Sequence, residues 1–196
     1  MFTLLIITMR VSKTMMTALG LMLVAATLYR VIPGRPYGFA PQWAIALFSG
    51  ALFVNRKGLA FLFPVVSMLI SDCIYQILFS LHLSDIPGFY SGQWINYLLF
   101  SSVTLVGFLI KSGKPYSILG ASLAGPTLFF LLSNTSVWLG GGGYQHGPTF
   151  MGWIQTMADG IPFYQNSLLS TAVFTSILFG AHYLLSADQM VAQRSK

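Results

Sequence analysis

Ten residues could make specific contacts to a ligand from within an otherwise apolar sequence: Arg30, Phe39, Asp72, Cys73, Gln76, Asn134, Trp138, Tyr144, His146 and Asn166. Arg30 and Asp72 offer opposite charges. Gln76, Asn134 and Asn166 offer amides that donate and accept. Phe39, Trp138, Tyr144 and His146 offer ring faces, and Cys73 a thiol. In a low-dielectric setting such groups must pair with one another or line a polar cavity. The chemistry they suit is recognition, not catalysis. There is no His-Glu-x-x-His, no Gly-x-Ser-x-Gly and no adjacent carboxylate pair among the four acidic residues Asp72, Asp85, Asp159 and Asp188. The run GGGGY (Gly140 to Tyr144) is followed by no Gly-Lys-Ser/Thr, so it is a hinge rather than a phosphate loop. The chain is expected not to be an enzyme, and to need no cofactor and no metal.

Each of these residues also has a plain structural role open to it. Asp72 can pair with Arg30 simply to lock helices together. Asn134 and Asn166 can hydrogen-bond between helices. Trp43, Trp94, Trp138 and Trp153 can form an interfacial belt. His146 can be a solvated loop residue and Cys73 a small hydrophobe. Their shared depth argues for function. Gln42 and Trp43 open one apolar stretch and Asn96 another, at the same level as the ten.

The elements that must position these groups follow from composition. Of 196 residues, 55% are apolar and 7% charged, against about 25% charged in a soluble domain. Six apolar stretches can be drawn: 14–32, 39–54, 59–81, 94–110, 116–139 and 163–185. This gives an all-α integral membrane protein with six transmembrane helices. Residues 1–13 are a cytoplasmic or interfacial segment, 14–186 the helical domain and 187–196 a cytoplasmic tail. The apolar start, with Met9 and Met15 as alternative initiators, lacks the order of a signal peptide. A long glycine-rich loop is expected over 140–162, carrying Tyr144, His146, Trp153 and Asp159. Ten Lys and Arg residues split eight to two across six spans: Arg10, Lys13, Arg56, Lys57, Lys111, Lys114, Arg194 and Lys196 on one side, Arg30 and Arg35 on the other. The positive-inside rule then places both termini in the cytoplasm and the polar cluster toward the outside. Dispersal of these charges at helix ends argues against nucleic acid.

Several blocks are similar to an uncharacterised family of small bacterial membrane proteins: RVIPGRPYGFAPQWAIALFSGALF, FPVVSMLISD, SNTSVWLGGGGY and GIPFYQNSLLSTAVFTSILFG. They place Arg30, Pro33, Phe39, Pro41, Ser71, Asp72, Asn134, Trp138, Pro162, Phe163 and Asn166 on the family pattern. Gly38 stands where that pattern has Asn, and Ser133 where it has Thr. The family in turn resembles the substrate-binding S components of energy-coupling-factor (ECF) vitamin transporters. That resemblance implies an S-component-like fold with both termini inside, and an outward pocket roofed by loops. It also implies a bacterial inner (cytoplasmic) membrane location and uptake of a vitamin or related metabolite. The partners would be membrane lipid, the small molecule and an ECF-type energising module. The first helix, TALGLMLVAATLYR, lacks the Ala-x-x-x-Ala spacing of docking members, which leaves a solitary protein as the alternative. Some solitary members resemble cobalamin transporters, for which Cys73 would be the cobalt ligand. The other class of function is a non-transporting scaffold or assembly factor whose polar cluster is structural.

Overall fold

Six helices follow one another in the computed structural model, which describes residues 13–111, 113–141 and 146–194. They are α1 (Lys13–Tyr29), α2 (Gln42–Leu52), α3 (Lys57–Ser80), α4 (Gln93–Gly107), α5 (Pro115–Leu139) and α6 (Phe150–Arg194). Prolines mark two of the starts. Pro41 stands directly before α2 and Pro115 opens α5, positions where the missing N–H costs no helical bond. The expected segment before the first helix lies, apart from Lys13, outside the described residues. The tail expected from 187 instead continues α6 to Arg194.

α2 departs most from expectation. The apolar stretch 39–54 reads as a membrane span, yet the helix has 11 residues, or about 16 Å at 1.5 Å per residue. That is about half of a 30 Å hydrocarbon layer. Its first nine residues, Gln42 to Gly50, are all buried, and it touches each of the other five helices. α2 is the axle of the bundle. The small residues Ala44, Ala46, Ser49 and Gly50 explain why, since they let neighbours approach closely. A Cβ placed on Gly50 would lie 2.5 Å from the Thr104 carbonyl oxygen, and one on Gly107 would lie 2.5 Å from the Leu47 carbonyl oxygen. The α2–α4 crossing therefore depends on two glycines. One face of α2 packs Ala44, Ile45 and Phe48 on Ala26 and Leu178. The other packs Trp43, Ala46 and Leu47 on Val103 and Ala121.

The exterior is apolar, and hydroxyls are buried beside the apolar core. Thr27, Ser67, Thr104, Ser170, Thr171 and Thr175 are buried, while Leu62, Leu69, Ile77, Leu123, Val173, Ile177 and Leu184 are exposed. Most of the buried hydroxyls bond their own helix or a neighbour: Thr171 and Thr175 donate to carbonyls four residues back at 2.6 Å, and the Thr27 and Ser67 hydroxyls meet at 2.7 Å. Lipid favours such an exterior and water does not. Three helices are long and apolar enough to cross a membrane: α3, α5 and the Phe150–Leu185 part of α6.

The glycine-rich loop is shorter than expected. It ends at Thr149, and α6 runs from Phe150 straight through Pro162. Within a helix Pro162 forfeits only the bond to the Ala158 carbonyl, which does not end the element. Trp153 and Asp159 therefore sit on a helix rather than in a loop.

Candidate functional site

The Arg30 guanidinium, just beyond α1, bonds Oδ1 of Asp72 and the Ser71 hydroxyl, both on α3. The other carboxylate oxygen, Oδ2, accepts from Gln93 Nε2 and from the Tyr97 hydroxyl, each at 2.7 Å. Gln93 and Tyr97 are one helical turn apart at the start of α4. They reach Asp72 because the preceding loop lies directly on α3. A Cβ on Gly88 would fall 1.9 Å from the Asp72 carbonyl oxygen, so only glycine fits. Gln93 also donates to the Gly88 carbonyl at 2.9 Å. Tyr75 closes the cluster, with its hydroxyl on the Arg30 carbonyl at 2.7 Å and its ring 5.7 Å from the guanidinium carbon. Asp72 is 2% exposed, and each of its carboxylate oxygens is directed at protein. The network ties α1, α3 and α4 together at one end of the bundle.

The remaining candidates fall elsewhere. Cys73 is exposed, because one residue along a helix turns the side chain about 100° away from Asp72. It does not share the Asp72 environment that its sequence position suggests. Gln76 accepts the Phe89 N–H at 3.3 Å, again holding the loop before α4. Asn96 bonds the Tyr90 hydroxyl. Asn166 donates to the Tyr37 carbonyl at 2.8 Å and Ser167 to the Gly38 carbonyl at 3.2 Å, so α6 holds the turn between α1 and α2. Gly38 has φ of +81°, and a Cβ there would lie 2.5 Å from the Phe163 carbonyl oxygen. Phe39 joins Tyr29 and Phe174 in a ring cluster, at 6.2 and 6.0 Å between centroids.

A shallow, open depression forms at the end of α5 and the start of α6. Trp138, Pro148, Thr149, Phe150 and Trp153 line an open cleft of about 380 Å³. Both indole N–H groups are anchored, Trp138 to the Gly147 carbonyl at 3.2 Å and Trp153 to the Thr135 hydroxyl at 3.0 Å. Phe150 lies nearly parallel to Trp153, 5.8 Å between centroids. The loop is clasped to α6 by His146 Nε2 and Asp159 Oδ2, 2.6 Å apart. Asn134, one turn before Trp138, donates to the Phe130 carbonyl at 2.8 Å and abuts Gly160. Tyr144 lies outside the described residues. The cleft has fixed ring faces, a hydroxyl in Thr149 and the His146–Asp159 hydrogen bond nearby, which suits a flat or amphipathic molecule.

The nine described candidates thus do not converge on one cavity, and Cys73 stands apart from the rest. The others divide among the Asp72 network, the turn held by Asn166 and the cleft beside Trp138. Ser71, already on the family pattern, completes the first together with Tyr75, Gln93 and Tyr97, three residues not singled out from sequence. Pro148, Thr149, Phe150 and Thr135 complete the third. Among the described residues no three of His, Cys, Asp and Glu gather as metal ligands.

No curated protein and no solved structure matches this chain. One family does match, over nearly its full length and across every element described above. The chain belongs to DUF6580, a family of unknown function, whose profile covers residues 10–193.

Proposed function

We propose that this chain crosses a membrane six times, α2 doing so together with the irregular backbone that flanks it, with both termini in the cytoplasm, and that it binds a vitamin-like small molecule from the outside in the Trp138–Trp153 cleft. The observation that carries the reading is the anchoring of both indoles around an open concavity. Belt tryptophans at a lipid interface need no such cleft, whereas a recognition site gains from rings fixed in advance. The apolar exterior of the bundle and the eight-to-two charge split support the membrane placement and the orientation. Uptake as a bacterial S-component-like protein, with an energising partner or alone, rests on the sequence blocks quoted above.

A second reading has its own support. Both oxygens of Asp72 are saturated by Arg30, Gln93 and Tyr97, which is what a purely structural lock in a scaffold or assembly factor requires. The two readings separate in one experiment. Detergent-purified protein is screened for retained small molecules by mass spectrometry, and for tryptophan quenching by water-soluble vitamins and their precursors, cobalamins included. The binding reading expects a compound that quenches wild type and fails with the Trp138→Ala, Trp153→Ala double variant. A compound that binds both equally well would place recognition away from the cleft.

A further inference from the structure

The least satisfied polar groups among the described residues lie at the start of α2. Gln42 is 1% exposed, and neither its amide nitrogen nor its amide oxygen has a hydrogen-bond partner. The helix begins there without a side-chain cap. Its first ladder bond runs from the Ile45 N–H to the Pro41 carbonyl at 3.0 Å. The N–H groups of Gln42, Trp43 and Ala44 precede that ladder, as the first N–H groups of any helix do. Such groups normally face water, but here the backbone from Ala40 to Ala44 is buried. Helical side chains lean toward the N-terminus, so the Gln42 amide leans toward the same free donors. A cation stands close by in the chain. Arg35 donates to the carbonyl of Phe39, three residues before Gln42. Among the described residues the ion pairs are Arg30–Asp72 and His146–Asp159, which leaves Arg35 without a carboxylate.

A buried helix N-terminus and an unpartnered amide share one preference, an oxyanion, and Arg35, whose guanidinium rests on the Arg30, Pro36 and Phe39 carbonyls, is the nearest cation in the chain. We infer that the N-terminus of α2 with Gln42 is a binding site for the carboxylate or phosphate end of a small molecule that also carries a hydroxyl or amide hydrogen. The oxyanion accepts from the helix N–H groups and from Gln42 Nε2, and Gln42 Oε1 accepts the neighbouring hydrogen. The site is closed in this structure. Residues 33–41, which lead into α2, are held by α6 through the Asn166 and Ser167 bonds to the Tyr37 and Gly38 carbonyls. It is separate from the tryptophan cleft. Phe129, packed 4.3 Å from Trp43, lies nine residues before Trp138 on α5, about 13 Å along the helix. Failure of either site therefore leaves the other standing.

The test uses the full-length protein in uncharged detergent, with thermal unfolding followed at matched ionic strength in sodium phosphate, sodium lactate and sodium chloride. The site predicts a saturable rise over chloride of about 3 °C at ten-fold saturation. Phosphate as the better probe indicates a phosphate ester, and lactate a hydroxy acid. The rise is lost in Gln42→Leu and weakened in Arg35→Gln. In chloride alone, Gln42→Leu and Gln42→Met melt at or above wild type, because an amide kept for a ligand is an orphan without one. Phosphate also stabilises proteins generally by exclusion from their surface, so a rise shared equally by wild type and Gln42→Leu overturns the inference. So does identical melting of wild type in all three salts. So does a clear loss of folding in both Gln42 variants, which would mean that the amide is satisfied within the bundle.

Discussion

Replacing Asp72 by Asn keeps the shape of the side chain and removes its charge, leaving the Arg30 guanidinium without its partner. Loss of one member of a buried ion pair costs about 3–5 kcal/mol. The Arg30 side chain is 22% exposed and can turn partly toward polar surroundings, so the low end applies, about 3 kcal/mol. At about 2–4 °C per kcal/mol for a chain of this size, Asp72→Asn should melt about 6–12 °C below wild type. Tyr97→Phe removes one hydrogen bond and leaves the ion pair. Interhelical hydrogen bonds in membranes average about 0.6 kcal/mol and reach about 1.7, so its melting should fall by about 1–7 °C. The decisive measurement is a double-mutant cycle of Arg30→Gln with Asp72→Asn, read by intrinsic tryptophan fluorescence during thermal unfolding in detergent. A coupling above about 1 kcal/mol is expected for groups in direct contact. Additivity within about 0.5 kcal/mol would refute the argument that this network holds α1, α3 and α4 together.

Other consequences are as direct. Gly107→Ala puts a Cβ 2.5 Å from the Leu47 carbonyl oxygen, and the forced separation of α2 from α4 should cost about 1–3 kcal/mol, visible as a lower midpoint; an unchanged midpoint would mean that the crossing is loose. Asn166→Ala frees the Tyr37 carbonyl and should raise amide hydrogen exchange in residues 37–41 while leaving that of α3 unchanged. His146→Cys in a Cys73→Ser background should label with an impermeant thiol reagent in intact cells, and labelling only after lysis would reverse the proposed orientation. Deleting Gly141 to Gly143 should weaken any ligand held beside Trp138, because it shortens the segment that brings Pro148 and Thr149 to the cleft; unchanged affinity would remove the loop from the site.

What sequence could reveal was governed by locality. The Arg30–Asp72 pair was legible, because two opposite charges inside apolar stretches have few other ways to be satisfied. The starts of α3 and α5 were legible to within two residues from the basic turns before them. Gln93 and Tyr97 were not, because their approach to Asp72 depends on a loop folding back until Gly88 meets the α3 backbone, a contact 16 residues apart in sequence. The start of α6 was misplaced for a related reason. Glycine and Pro162 weigh against a helix locally, yet Gly152 and Gly160 are the places where Gly147 and Asn134 press against it. Cys73 looked like a neighbour of Asp72 because adjacency in sequence is not adjacency on a helix.

The centre of the bundle explains why function should be sought at the start of α2. A helix of about 16 Å, buried along nine residues, cannot carry both its ends to opposite surfaces of a 30 Å layer. If α3, α5 and α6 cross the layer, at least one end of α2 lies at membrane depth, and irregular backbone is tolerated there only when protein covers it or when it lines a cavity. The C-terminal end is relieved locally: the Phe53 N–H bonds the Ser49 carbonyl at 2.9 Å, and the Arg56 N–H bonds the Phe53 carbonyl at 2.7 Å. The N-terminal end has no such relief, since Pro41 supplies no cap and Gln42 no partner. Half-length helices whose N-termini stop inside a membrane protein are a recurrent means of holding anionic groups of a substrate. The same helix that makes the core so small-grained, through Ala44, Ala46 and Gly50, thus also delivers unpaired donors to its interior, and packing alone gives no reason to keep Gln42 rather than a leucine at that position.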